Sequence, residues 1–230
     1  MASELIRLSD YMVEALADEN GLRNFNLILE RGDACSIVTD SPDAARHLLR
    51  ALATLEPPKS GRFFYKGEEL DLSDYRKLLR YKRKAGYIAP DATFIINRSM
   101  RDNLMLMRYY FEDSTTVAMP VDLMELCRIF ELEKKLDVKP HQLDPEEQRL
   151  FVIVRELSKD PDIVLIDTPR AFLRTKSFEA LKSILRDLIK KGLALMFFSA
   201  DKSFTNEFSN KRITIDRGKV TSFASGEKVA

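Results

Sequence analysis

The stretch "ACSIVTDSPDAARHLLRAL", Ala34 to Leu52, constrains the fold of this chain more than any other. Ala34 to Val38 is a continuous apolar run of strand length, the pattern of a strand covered on both faces of a parallel sheet. A polar turn follows, and then Ala44, Leu48, Leu49, Leu52 and Leu55 recur on one helical face. A buried strand feeding an amphipathic helix is the opening half of a β-α-β unit, so the chain is expected to be α/β with a parallel sheet. The turn also carries its own stop for the helix. Ser41-Pro42-Asp43 supplies an N-cap, a proline at the first helical position and an acidic first turn. Such a helix end satisfies its own unpaired N–H groups and its partial positive charge.

The α/β alternation continues on both sides. Residues 24–30 alternate like an edge strand, "PPKSG" at 57–61 is a turn, and "RFFYKGEEL" reads as strand, glycine turn and continuation. A helix is predicted over 73–84 and a short strand in "AGYIAP". From about 98 to 139 the pattern is helical, with Leu104, Leu106 and Met107 on one helix and Val121, Met124, Leu126, Ile129 and Phe130 on another. Helices at 145–158 and 177–191 then alternate with strands at 162–167 and 193–199. A strand pair at 211–216 and 219–223 closes the chain around Gly218. The expected division is a core of residues 1–90 and 150–230, α/β with an antiparallel part, interrupted by an all-helical subdomain at 91–149.

Composition removes several function classes. At 230 residues with 45% hydrophobic and 32% charged side chains, the chain has material for a sizeable core and is not of disordered composition. A net charge of +1 gives no overall field for nucleic acid or acidic lipid. Cys35 and Cys127 each sit in apolar context, as expected of buried thiols in a reducing compartment, and His47 and His141 lack metal-ligand spacing. "MASELIRLSDYM" does not read as a signal peptide, and no apolar run approaches the roughly 18 residues of a membrane helix. Residues 76–84, "RKLLRYKRK", hold six basic side chains around Tyr81 and read first as a solvated helix face.

The order of these segments resembles an ATP-binding-cassette (ABC) ATPase subunit over nearly the whole chain. The likeness is carried by "NFNLILERGD", "LATLEPPKSGRFFYKGEEL", "AGYIAPDATFIINRSMRDNLML", "HQLDPEEQRLFVIVRELSKDPDIVLIDTP" and "LALMFFSADKSFTNEFSNKRITIDRGKVTS", in that order. The fold it implies is that of a P-loop NTPase: a RecA-like lobe, an antiparallel β subdomain and an inserted helical subdomain. The positions that would carry chemistry are altered. The phosphate loop, G-x-x-x-x-G-K-[ST] in the family, falls on Thr39-Asp40-Ser41-Pro42-Asp43-Ala44-Ala45-Arg46-His47. Ala45 stands at the lysine and Arg46 at the Mg²⁺-binding hydroxyl. Pro42 removes a backbone donor, and Asp40 and Asp43 bring carboxylates to a phosphate site. The signature Leu-Ser-Gly-Gly-Gln falls on Leu143-Asp144-Pro145-Glu146-Glu147, where Asp144 and Glu147 form an expected capping box and three carboxylates would repel a triphosphate. Asp167 keeps the metal-side carboxylate of the family. Thr168 replaces the catalytic glutamate, Pro90 the Q-loop glutamine, Ala200 the switch histidine and Arg174 the D-loop aspartate.

The resemblance therefore implies a pseudo-ATPase with no cofactor, acting as a structural or regulatory subunit of a membrane transporter. Its partners would be a transmembrane permease, an intact ABC ATPase or both, with homodimer and heterodimer both open and no nucleic acid. Its place would be cytoplasmic, at the inner face of the cell membrane. Two alternatives stand beside this: a divergent site that still uses ATP and Mg²⁺, and a soluble scaffold for a true ABC ATPase. "NLMLMRYYFEDS" faintly resembles the ATPases of Mla/Mce-type lipid transporters. Within it, Met105, Met107, Tyr109, Tyr110 and Phe111 form either a partner-binding surface or part of the core.

Overall fold

The computed structural model describes residues 3–14, 21–112 and 117–224. A four-stranded antiparallel sheet is built from β1 (Glu4–Val13), β2 (Leu22–Glu30), β4 (Ser60–Tyr65) and β5 (Glu68–Glu69), in the order β2-β1-β4-β5. A six-stranded sheet runs β10-β9-β3-β8-β7-β6, from β3 (Ala34–Val38), β6 (Ala85–Ile88), β7 (Ile163–Asp167), β8 (Ala194–Phe198), β9 (Lys211–Asp216) and β10 (Lys219–Ala224). It is parallel from β9 to β6, and β10 pairs antiparallel at the edge. The helices are α1 (Pro42–Leu52), α2 (Tyr75–Lys82), α3 (Met100–Glu112), α4 (Val121–Ile129), α5 (Pro145–Leu157), α6 (Thr175–Lys190) and α7 (Lys202–Phe208).

Period-two alternation in the central strands builds two cores. Ile163 and Leu165 of β7, with Ala194 and Met196 of β8, face α1 and the antiparallel sheet. Val164, Ile166, Leu195 and Phe197 face the opposite way, against α5, α6 and α7. Both faces are covered, which is why these strands read as unbroken apolar runs. α1 is clamped between the two sheets: Ala45, Leu48, Leu49 and Leu52 are each 0% exposed. The antiparallel layer contributes Ile6, Leu8, Tyr11 and Phe63 to that core. Cys35 and Cys127 are free, buried, and in different cores; burial, with Asp33 adding its charge, pushes the Cys35 thiol up to about 12.

Three features depart from the sequence reading. The first strand, Glu4–Val13, was not expected. Its apolar residues are interrupted by Arg7, Ser9 and Asp10, and it becomes a strand by pairing with both β2 and β4. α7 is only seven residues long, too short for periodicity to show; Asp201 caps it and Phe204 and Phe208 anchor it. The helical stretch after residue 98 resolves into α3, α4 and two 3₁₀ turns, Glu133–Lys135 and Pro140–Gln142. Val121 and Ile129, expected on the apolar face of the second helix, are 79% and 43% exposed. Met100, Leu104, Leu123, Cys127 and Phe130 share one core with Leu150, Phe151 and Val154 of α5. α5 thus runs from the helical region onto the face of the large sheet.

Candidate functional site

The site expected from sequence lies where α1 begins, beside the C-terminal end of β7. Ser41 is the N-cap, with extended backbone, and its hydroxyl accepts from the Ala44 N–H at 3.3 Å; Pro42 occupies the first helical position. The Ser41 N–H in turn donates to the Thr39 hydroxyl at 3.1 Å. Asp40 is exposed, whereas Ala44 and Ala45 are buried. The Ala45 Cβ, which the resemblance is expected to set at the family's lysine position, points into the core between the sheets.

Arg46, one turn into α1, supplies a contact that the sequence does not announce. Its Nε donates to Asp167 Oδ2 at 3.0 Å and its Nη1 to Asp43 Oδ1 at 2.8 Å. The other oxygen of Asp167 accepts from the Thr168 hydroxyl at 2.7 Å. Asp167 is 2% exposed. A cation thus already rests on the carboxylate at the end of the strand, and the hydrogen bond to Asp167 holds the Arg46 guanidinium above its usual pKa. The Asp43 carboxylate, expected to project toward a phosphate, is instead turned along the helix to Arg46. His47 lies on the buried side of α1, its Nδ1 2.8 Å from Glu56 Oε2, and Arg50 Nε donates to Glu56 Oε1 at 2.7 Å.

Thr168 has φ +54°, unusual for a β-branched residue. It is held there from several sides. Its N–H donates to the Phe198 carbonyl, and its own carbonyl accepts from the Ala171 N–H and from Arg149 Nη2 at 3.2 Å. Arg149, from α5, was missed by the sequence reading. It is 3% exposed, and Nη2 also donates to the Asp167 carbonyl at 2.9 Å. Its Nε and Nη1 have no partner, nor does the buried hydroxyl of Tyr87. Burial pushes the Arg149 pKa down to about 10. No signal in a single sequence marks an arginine as buried; the helical phase of α5 places position 149 inward, but phase cannot say that a backbone carbonyl waits there.

α5 begins with the capping box the sequence predicts. Glu147 N–H donates to Asp144 Oδ1 at 2.8 Å, Asp144 N–H donates to Glu147 Oε2 at 3.0 Å, and Pro145 sits in the first turn. Leu143 is buried beneath it. The three carboxylates expected at this end each have a partner of opposite charge. Glu146 is 8% exposed, accepts from the Arg174 N–H at 2.7 Å and pairs with Arg174 Nε at 3.0 Å. Arg174 also reaches Asp144 at 3.5 Å, and Lys135 lies 3.1 Å from Glu147. These acids are neutralised within the chain. Pro90 and Ala200 lie in loops: Pro90 inside a turn closed by Ala92 N–H to the Ala89 carbonyl, Ala200 exposed just before the Asp201 cap.

The aromatic and methionine candidates of α3 do not act as one surface. Met105 is 1% exposed and belongs to the interior, so it is withdrawn as a partner-binding residue; α3 turns its 100, 104 and 105 positions inward. Tyr110 is 65% exposed, Tyr109 is half-buried, and Met107 and Phe111 line a groove between α3, α4 and α5. Half of the basic run at 76–84 is paired: Lys77 with Asp71, Arg80 with Glu68 and Lys84 with Asp160. Among the described residues no cluster of three or more His, Cys, Asp or Glu could hold a metal, and no helix is long and apolar enough to cross a membrane.

Comparison with known proteins decides the family. A family model described as ABC transporter matches residues 22–171. The chain belongs to the ABC transporter family. An ABC transporter ATP-binding protein of Methanocaldococcus jannaschii is 28% identical over 200 residues, 86% of this chain and 88% of the relative. The L-cystine import ATP-binding protein of Bacillus subtilis is 23% identical over 211 residues, 90% and 85% of the two chains. Among solved structures, an ATP-binding cassette in a dimeric post-hydrolysis state bound to ADP and phosphate superposes with a TM-score of 0.80 at 23% identity, covering 96% of this chain and 98% of that one. The α/β body, antiparallel layer and helical region are therefore the P-loop NTPase fold of ABC ATP-binding subunits.

Proposed function

We propose that this ABC cassette is a catalytically silent subunit, a pseudo-ATPase that serves a membrane ABC transporter as a structural or regulatory component and uses no nucleotide. The observation that carries the reading is the Arg46 guanidinium seated on Asp167 at 3.0 Å. A magnesium nucleotide would need that carboxylate for its cation, a lysine at the helix start for its phosphates and a base for water. The chain offers an internal cation, a buried alanine and a threonine at those three places. The residues present do not fit a magnesium nucleotide.

The capped ends of α1 and α5 support the same reading: each meets its own N–H groups and charges within the chain. The partner would be a transmembrane permease, an intact ABC ATPase or both, in a homodimer or heterodimer at the cytoplasmic face of a membrane. A lipid-transport association rests on the α3 segment alone. The test is calorimetric titration of the purified chain with Mg-ATP at millimolar concentration, with steady-state phosphate release measured in parallel. No heat of binding and no turnover are expected; saturable binding in the micromolar range sinks the proposal and favours the divergent working site.

A further inference from the structure

Arg149 and Tyr87 carry buried donors that the site at the start of α1 does not use. Arg149 belongs to α5, which covers the face of the large sheet opposite α1, and it is 3% exposed. Its Nη2 serves the carbonyls of Asp167 and Thr168, while Nε, Nη1 and the Tyr87 hydroxyl meet no acceptor among the described residues. A desolvated donor left unmet is costly, and one on a charged group more so. Of the charged groups that act on Arg149, Asp167 acts most strongly, and the same holds for Tyr87. Asp167 is buried too, but both of its oxygens are engaged elsewhere, one by Arg46 Nε at 3.0 Å and the other by the Thr168 hydroxyl at 2.7 Å. Arg46 is the looser partner. Its side chain is 38% exposed and divides itself between Asp167 and Asp43.

We propose that Asp167 is a two-position acid: it holds Arg46 in the arrangement seen here and, when Arg46 is drawn away, turns its carboxylate to the idle donors of Arg149 and Tyr87. The Arg149 guanidinium already touches the backbone oxygen of Asp167, so on a side chain this short a change of rotamer brings the carboxylate to it. Release of Arg46 gives up the partly exposed half of an ion pair, and the turn supplies an acceptor to donors that are buried and unmet. The exchange never leaves the buried carboxylate without a cation, the arrangement that would cost most. It also ties two elements together. The start of α1 is released only as α5 takes hold of the end of β7, so a change at Arg46 is felt on the far face of the sheet. The inference concerns which arginine holds Asp167, and it does not rest on the pseudo-ATPase reading.

The experiment is a double-mutant cycle on the purified chain, read by urea denaturation. Arg46→Met removes the outer cation and Arg149→Met the inner one, each keeping an apolar stem. Either single variant is expected to lower the folding equilibrium constant less than tenfold, because the other arginine takes the carboxylate. The double variant strands a buried acid, and its loss is expected to exceed the product of the two single losses by at least tenfold. Asp167→Asn, which is neutral, is expected to remove most of that excess; an excess that persists there would come from packing and overturns the inference. A second reading needs only folded single variants. The Arg149 Nε–H resonance, assigned by its disappearance in Arg149→Met, is expected to shift and to exchange more slowly with solvent in Arg46→Met. Arg46→Lys, which keeps a charge in reach of Asp167, is expected to leave it near the wild-type position. Multiplicative losses in the cycle, or an Arg149 resonance that Arg46→Met does not move, overturn the inference and assign the idle donors to solvent alone. No nucleotide is present in these measurements, so their outcome is separate from that of the ATP titration.

Discussion

The starts of α1 and α5 are two solutions to one problem. Each helix opens with a capping side chain, a proline and an acid, Ser41-Pro42-Asp43 in one and Asp144-Pro145-Glu146 in the other. At α5 the closure is local and reciprocal, two hydrogen bonds of 2.8 and 3.0 Å within one turn, with Arg174 and Lys135 balancing the acids at the surface. At α1 the cap is a single longer bond of 3.3 Å, and the end is secured by Arg46 reaching to Asp167, 121 residues away in sequence. One end is closed mainly by hydrogen bonds within its own first turn; the other draws on a contact with the assembled sheet. A helix end can thus be closed by short-range chemistry or by a long-range ion pair, and the two should fail differently.

The sharpest break is at the long-range pair. Asp167→Ala leaves Arg46 with only Asp43 and removes a buried acceptor. It is expected to cost about 2–4 kcal/mol, below the usual loss for a wholly buried pair because the Arg46 side chain is partly exposed. Asp167→Asn, which keeps an acceptor for Arg46, should cost visibly less. Urea denaturation of the two variants gives the ranking, and an alanine cost under about 0.5 kcal/mol would reduce the Arg46 contact to a surface ornament.

Next come the caps. Ser41→Ala and Asp144→Ala should each cost about 0.5–2 kcal/mol, with Asp144→Ala the greater because it dismantles a reciprocal box. Neither should recover on addition of sulfate or ATP. A melting temperature that climbs with either anion, in wild type or variant, would mean that one helix end still takes a phosphate.

A smaller effect, of opposite sign, is expected at Arg149. Glutamine there is two atoms too short to keep the bonds to the carbonyls of residues 167 and 168, but it removes a buried charge whose Nε and Nη1 stand unpaired, so the loss is offset by the relief of that charge. Arg149→Gln should be neutral or stabilise by up to about 1 kcal/mol. A large loss would show that the guanidinium has a charged role that its neighbours do not reveal.

The smallest expected effect is none at all. On the proposed reading, Ala45→Lys, Arg46→Ser and Thr168→Glu together supply the residue types of a hydrolysing site, yet phosphate release should stay at background, alone or mixed with a partner ATPase. Position 45 is 0% exposed, Pro42 still stiffens the turn, and the start of α5 stays closed by its own capping box. Turnover by the triple variant alone would show the loss to be shallow.

Much of this molecule was written locally. The buried strands, the helices α1 and α6 that follow β3 and β7, both proline-bearing caps and the capping box follow from period, turn chemistry and propensity, which act within a few residues. The order of segments also carried the likeness to the cassette fold. Other features had no local voice. β1 is a strand because β2 and β4 flank it, and α7 is held by two phenylalanines in a core made by other segments. Met105 and Phe111 share a helix, but only the packing of α3 against α5 turned the first inward and left the second beside Arg83. The partnership of Arg46 with Asp167 and the burial of Arg149 likewise depend on where distant segments meet. A charge's meaning is set by its desolvation and by what lies within about 4 Å of it, and chain neighbours determine neither. The sequence thus determined most of the elements and the caps that open α1 and α5, while the tertiary structure alone decided which distant charges meet them.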